Sequence, residues 1–239
     1  MIEKINSEED LSLWLNRDIY SVRILSLLKS YGCKYNFATF YRQIIDGEIT
    51  AIFSKLDNDI TISLGENYDN EEIVDFLCIT GYSSVLTSAD FFLNPRYEEG
   101  FVMKCNTKHE LAPMNVCVDE YPKLMELFNF VDYDKQDFKA WYVDISHRIR
   151  HKTAKAYTLN VDEQIVSSGI LSSIIDDYSI LTAVRTENEF RKMGYASFLV
   201  KSICNDTNGT VYIMRDENKN EKFYNNCGFE NIGKWRIYR

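Results

Sequence analysis

The sequence has no apolar run near the ~20 residues that a bilayer-spanning helix needs. Its opening, MIEKINSEEDL, is acidic and has no signal-peptide core. These absences predict no membrane partner and a cytoplasmic location. Histidine is scarce, at three residues. The six cysteines, Cys33, Cys78, Cys105, Cys117, Cys204 and Cys227, are scattered, and none forms a C-x-x-C pair. Zinc is therefore not expected, nor any other metal, and reduced thiols are the default. Positive charge is also short. The 27 Lys and Arg are outnumbered by 36 Asp and Glu, for a formal net charge of −9. That balance argues against nucleic acid or an anionic membrane surface as the partner.

What is present is globular. Hydrophobic residues make up 45% and charged residues 26% of 239 residues, a composition that buries a core. The length fits one large domain or two of about 110–130 residues.

In the first half, Ser7 reads as an N-cap with acids in the first turn. Leu11, Trp14, Leu15, Ile19, Val22, Leu25 and Leu28 follow at helical spacing, and Tyr31-Gly32 ends the pattern. Phe37–Ile45 and Ile49–Phe53 read as strands joined by Asp46-Gly47, a strong hairpin signal. A strand at Ile60–Leu64, a helix at Asn70–Cys78 and a strand near Ser84–Phe91 follow. The polar segment Asn106–Pro113 marks a boundary.

The second half predicts a short strand at Met114–Val118 and a helix at Tyr121–Phe130. A second helix carries Phe138, Trp141, Tyr142, Ile145 and Ile149, with Asp134 or Asp137 as its cap. That apolar stripe reads as core. The basic run His147–Lys152 reads as a helix end, where cations are favourable. Three strands are predicted near Ala154–Asn160, Ile165–Ser172 and Tyr178–Val184. A strand at Val211–Met214, a helix at Asn218–Asn226 and closing strands from Phe229 complete the chain.

The two halves read alike, which predicts a degenerate duplication with domains at 1–110 and 111–239. They differ after the third strand. The first half has Glu66, Asp69, Glu71 and Glu72 there, good helix caps and poor phosphate ligands. Like charges ~4 Å apart repel by about 1 kcal/mol even in water. The second half has Arg191-Lys192-Met193-Gly194-Tyr195-Ala196. A strand entering a basic, glycine-containing turn and then a helix is an anion site. The first helical turn presents unpaired N–H groups and the positive end of the dipole. Gly194 removes a Cβ where phosphate oxygens approach, and Arg191 and Lys192 add full charges.

Thr186 to Ala196 resembles the acyl-CoA pyrophosphate loop of the GNAT superfamily of N-acyltransferases, which carries Q/R-x-x-G-x-G/A. Phe223-Tyr224-Asn225-Asn226-Cys227-Gly228-Phe229 resembles its second signature, L/F-Y-x-x-x-G-F. The resemblance covers Met114 to Arg239. It implies an α/β (α+β) fold, with a mixed, mostly antiparallel central sheet flanked by helices. The likeness of the halves extends this to a tandem of two such domains, the first without a cofactor loop.

The resemblance also implies roles. Backbone groups of Val184, Arg185 and Thr186 would hold the pantetheine arm and the thioester carbonyl. Arg191, Lys192, Met193, Gly194, Tyr195 and Ala196 would wrap the diphosphate. Tyr224 would be the general acid toward the leaving thiolate. Two departures stand out. Glu217 occupies the place where many members carry Asn, leaving Asn218 as the neighbouring candidate for the cofactor arm, and Met193 is unusual in the loop. The general base is not fixed: Glu187 and Glu189 are possible carboxylates, and ordered water is the alternative. Cys227 reads as a packed thiol rather than an acyl-carrying nucleophile.

The implied activity is an N-acetyltransferase that passes an acyl group directly from acetyl-CoA to a primary amine in a ternary complex. The acceptor would be a small molecule or a peptide, and its identity and the oligomeric state are not legible. The rival reading is a non-catalytic CoA sensor or partner-docking module.

Overall fold

The computed structural model describes residues 1–131 and 138–239. The expected caps Asp134 and Asp137 lie outside them. The chain runs β1 (Ile2–Lys4), α1 (Ile19–Tyr31), β2 (Ala38–Ile45), β3 (Glu48–Leu56), β4 (Asp59–Leu64), α2 (Asn70–Thr80), β5 (Ser84–Ser88) and β6 (Tyr97–Cys105). It continues with β7 (Cys117–Asp119), α3 (Leu124–Val131), α4 (Phe138–Arg150), β8 (Lys155–Val161), β9 (Gln164–Ile175) and β10 (Tyr178–Thr186). The last elements are α5 (Tyr195–Asp206), β11 (Thr210–Asp216), α6 (Glu221–Asn226) and β12 (Glu230–Tyr238). This is the expected mixed α/β fold, with mostly antiparallel strands flanked by helices.

Two units form. Unit 1 holds Met1–Val102, Met214–Lys219 and Asn231–Arg239, and unit 2 holds Met103–Ile213 and Asn220–Glu230. The division falls inside β6, ahead of the polar segment read as a boundary. The later parts of β11 and β12 belong to unit 1, so the units are not the consecutive stretches 1–110 and 111–239.

Each unit has the same local plan. In unit 1, β2, β3 and β4 form an antiparallel meander, α2 follows, and β5 returns parallel to β4. In unit 2, β8, β9 and β10 form the meander, α5 follows, and β11 returns parallel to β10. Every meander turn has two residues and begins with a left-handed Asp: Asp46, Asp57, Asp162 and Asp176, at φ 47–52°. Asp tolerates this conformation better than most residues, and such turns match the twist of the strands they join. In unit 1, β12 adds antiparallel to β5, from Trp235↔Ser88 to Tyr238↔Val85.

The start of the first helix differs from expectation. Ser7 forms a capping box with Asp10, but it caps only a 3-10 turn, Glu8–Leu11. The chain then leaves Leu13 and Leu15 exposed. The α-helix begins at Ile19, where the Asp18 carboxylate accepts the Ser21 N–H at 2.7 Å and the Ser63 hydroxyl. A half-buried cap thus sets the start. The apolar spacing merged two elements because Leu11 and Trp14 are also buried.

The core of unit 2 joins Met103, Tyr157, Leu159, Leu199, Ile203 and Phe229, among others. A second cluster packs Leu127 of α3 and Ile145 of α4 under Ile170 of β9. Tyr142, placed on the core stripe by its spacing, is 44% exposed. The basic end of α4 is tied down, since Arg148 bonds Asp144, the Ser172 carbonyl and the Ser173 hydroxyl.

Candidate functional site

The site is built on an interrupted strand. β10 pairs with β9 as far as Thr186, but with β11 only over Tyr178–Ile180. The β9–β10 register shifts twice, between Ile180 and Leu181 and between Thr182 and Arg185. Ala183 sits in the second shift at φ 53°, a conformation uncommon for a residue with a Cβ. Two fully buried serines of β9 hold this bulge. Ser168 Oγ donates to the Ala183 carbonyl at 3.0 Å, and Ser167 Oγ donates to the Arg185 carbonyl at 2.9 Å. A bulge bends its strand. Beyond Ile180, the β11-facing edge of β10 has no paired strand among the described residues.

After Thr186 the chain tightens. The Glu187 carboxylate accepts the Asn188 N–H at 3.2 Å, capping a 3-10 turn over Asn188–Phe190. Arg191 Nε donates back to the Thr186 carbonyl at 3.2 Å, closing the loop on itself. Lys192 and Gly194 are left-handed, at φ 64° and 89°. Gly194 is the N-cap of α5 and supplies no side-chain cap. The first intrahelical bond runs from the Phe198 N–H to the Gly194 carbonyl, at 2.9 Å. The N–H groups of the first turn therefore point out of the helix mouth.

A pocket of about 250 Å³ opens there. Thr186, Phe190, Arg191, Lys192, Gly194, Tyr195, Ala196, Ser197 and Phe223 line it. Six of these are expected site residues. Phe190 and Phe223 lie within the two stretches that carry the resemblance but have no role in it, and Ser197 lies one residue past the first stretch. The volume is below the ~300 Å³ at which drug-sized pockets begin, so it suits a compact polar group. Two cations and a helix mouth select for negative charge.

The other expected residues lie outside this lining. Val184 and Arg185 belong to the bulged stretch of β10, and Arg185 donates to the Val131 carbonyl at the end of α3. Met193 is 59% exposed. Asn218 is exposed in the turn after β11, and α6 starts three residues later than expected, at Glu221. Tyr224 lies one residue past Phe223 in α6. Its ring packs edge-on against Phe223 at 4.9 Å and Phe229 at 5.6 Å. Burial, with the neighbouring Cys227 adding to it, pushes the Tyr224 phenol up to about 12. Cys227 itself is fully buried, and burial raises its thiol, as a packed residue requires.

Comparison with known proteins bears on the fold. The family described as FR47-like protein matches residues 166–239, which include the bulge, the loop and the α6 signature. No curated protein matches the chain. Among solved structures, a GCN5-related N-acetyltransferase from Kribbella flavida superposes with a TM-score of 0.59 at 12% identity, covering 92% of this chain and 93% of that one. A GNAT-family acetyltransferase from Colwellia psychrerythraea gives 0.58 at 11% identity, over 99% and 98%. A tandem GNAT protein from the clavulanic acid biosynthesis pathway gives 0.59 at 8% identity, over 99% and 97%. At such identities the likeness is one of fold. With its meander, its bulged strand and its glycine-capped helix, the chain has the fold of the GNAT acetyltransferase superfamily.

Proposed function

We propose that unit 2 binds an acyl-CoA, with acetyl-CoA as the donor, and transfers the acyl group to a primary amine. The observation that carries this is the Gly194-capped mouth of α5, open to a small pocket beside Arg191 and Lys192. A diphosphate there would accept from the first-turn N–H groups. The free edge of β10 from Leu181 to Thr186 would take the extended pantetheine arm as an added strand. The thioester carbon would be attacked directly by the amine, with Tyr224 donating to the departing sulfur. Glu187 is already engaged as a turn cap, so the amine's proton is better assigned to ordered water than to that carboxylate.

Unit 1 is proposed to be the degenerate copy. Its α2 start is closed by its own acids. Asp69 caps Glu72, and Glu72 accepts the Ile2 N–H at 2.7 Å and Gln43 Nε2 at 2.8 Å. These carboxylates hold the sheet, and their charge repels a phosphate.

Thermal unfolding with acetyl-CoA, desulfo-CoA and no ligand tests the binding step. Either ligand at 100 times its Kd adds about 2.7 kcal/mol, which raises Tm by about 5–11 °C for a chain of this size. Arg191→Ala is expected to weaken coenzyme binding about tenfold, the effect of losing ~1.4 kcal/mol, and to flatten its salt dependence. No Tm shift with either coenzyme would defeat the proposal. A shift without thiol release across an amine panel would instead support a CoA sensor.

A further inference from the structure

Cys105, His109 and Cys204 come from three places in the chain and converge on one point of unit 2. Cys105 ends β6 and is 1% exposed, and Cys204 lies in the last turn of α5 and is 3% exposed. His109 is half-buried in the loop after β6. Their sulfur and ring-nitrogen atoms all lie within 4.8 Å of one another. Cys105 Sγ and His109 Nε2 are 3.5 Å apart. For comparison, a tetrahedral zinc ion holds S and N ligands at about 2.3 and 2.0 Å, which sets them about 3.5 Å from each other.

The surroundings fix His109 in this place. Its backbone N–H donates to Asn205 Oδ1 at 2.7 Å, and Asn205 Nδ2 donates back to its backbone carbonyl at 2.8 Å. Lys108 Nζ donates to the Asn205 carbonyl at 2.8 Å. Gly228 leaves room for the ring: a Cβ there would stand 2.6 Å from His109 Cε1 and 3.3 Å from Nε2. Buried cysteines alone are ordinary core residues. Two of them gathered with an imidazole whose backbone is held in place make a candidate ligand set.

We propose that Cys105, His109 and Cys204 bind one soft divalent ion of the zinc class, clamping the end of β6 to the C-terminal turn of α5. Two thiolates and a neutral imidazole cancel the charge of a divalent ion, which permits the site to be buried. Sulfur and imidazole donors exclude magnesium and calcium, which take oxygen. Three protein ligands leave the fourth position to water. Spacing alone does not announce this set, since the cysteines are 99 positions apart and zinc-binding chains usually show their ligands as close pairs.

The test uses the full-length, reduced, metal-free protein and Co²⁺ as the probe. The expected result is one ion per chain, with thiolate-to-cobalt charge transfer and tetrahedral visible bands that Zn²⁺ displaces. His109→Gln keeps a half-buried polar residue and is expected to fold while weakening Co²⁺ by at least about tenfold. Cys105→Ser is expected to remove most of the charge-transfer intensity. A triple Ser variant of Cys33, Cys78 and Cys117 is expected to bind as the parent does. Circular dichroism checks each fold, and if Cys105→Ser unfolds, His109→Gln and the triple variant decide. The absence of thiolate-to-cobalt absorption with all thiols free would overturn the proposal. So would absorption that survives His109→Gln unchanged or vanishes in the triple variant.

Discussion

Tyr224→Phe is expected to lower kcat for acyl transfer by about 10²- to 10⁴-fold, the range of a lost proton donor, with little change in coenzyme affinity. The substitution isolates the hydroxyl. Phe keeps the ring that packs edge-on against Phe223 and Phe229. The Tyr224 hydroxyl has no hydrogen-bond partner among the described residues, so removing it leaves none stranded, and Tm should hold. The phenol is pushed up to about 12, chiefly by burial. It therefore stays protonated throughout the working range, and any alkaline loss of rate well below pH 12 belongs to another group. The same elevation limits its role. Full transfer to a thiolate whose conjugate acid is near 8.5 would be uphill by roughly 5 kcal/mol. The hydroxyl would act while the C–S bond breaks, donating to sulfur as charge builds, with the net proton coming from the amine. Steady-state kinetics beside coenzyme titration separate these effects. An unchanged kcat would remove Tyr224 from the mechanism while leaving the binding proposal intact.

Much of this was legible because it depends on local chemistry. Asp46-Gly47 announces a two-residue turn, and both residues are left-handed in the structure. The basic turn around Gly194 announces a helix mouth, and Gly194 is that cap. What was hidden depends on partners distant in sequence. Ser167 and Ser168 read as ordinary strand residues, yet their hydroxyls hold the bulge of β10. Ser7 has the right chemistry for a cap, but the Asp18 carboxylate, which accepts the Ser21 N–H, decides where the α-helix begins. Phe223 lines the pocket, although the resemblance gives a role only to its neighbour Tyr224. The division into units was hidden for the same reason, because strand partners for the first half arrive at the end of the chain.

Gly209→Ala is expected to destabilise the protein by about 3 kcal/mol or more, at the upper end of overpacking effects. That lowers Tm by about 6–12 °C. A Cβ on Gly209 would stand 1.8 Å from the Asp177 carbonyl oxygen, 2.6 Å from its Cβ and 2.7 Å from its carbonyl carbon. Two of these are backbone atoms, so no side-chain rotation relieves the contact. The same Asp177 carbonyl accepts the Thr210 N–H at 2.8 Å, beside the first rung of the parallel β10–β11 pairing, Tyr178↔Thr210. That pairing spans only Tyr178–Ile180, so it has few neighbouring rungs to absorb a displacement. It also closes the crossover that carries α5, whose other end is the proposed diphosphate site. Coenzyme affinity should therefore fall along with stability. Gly233→Ala is the control, since a Cβ there meets nothing within 4 Å, and its effect should stay within about 0.5 kcal/mol. Thermal melts of the two variants decide the matter. If Gly209→Ala melts within about 1 °C of the parent, the close approach of Gly209 to the Asp177 backbone does not hold the β10–β11 pairing, and the connection drawn from that pairing to the helix mouth fails with it.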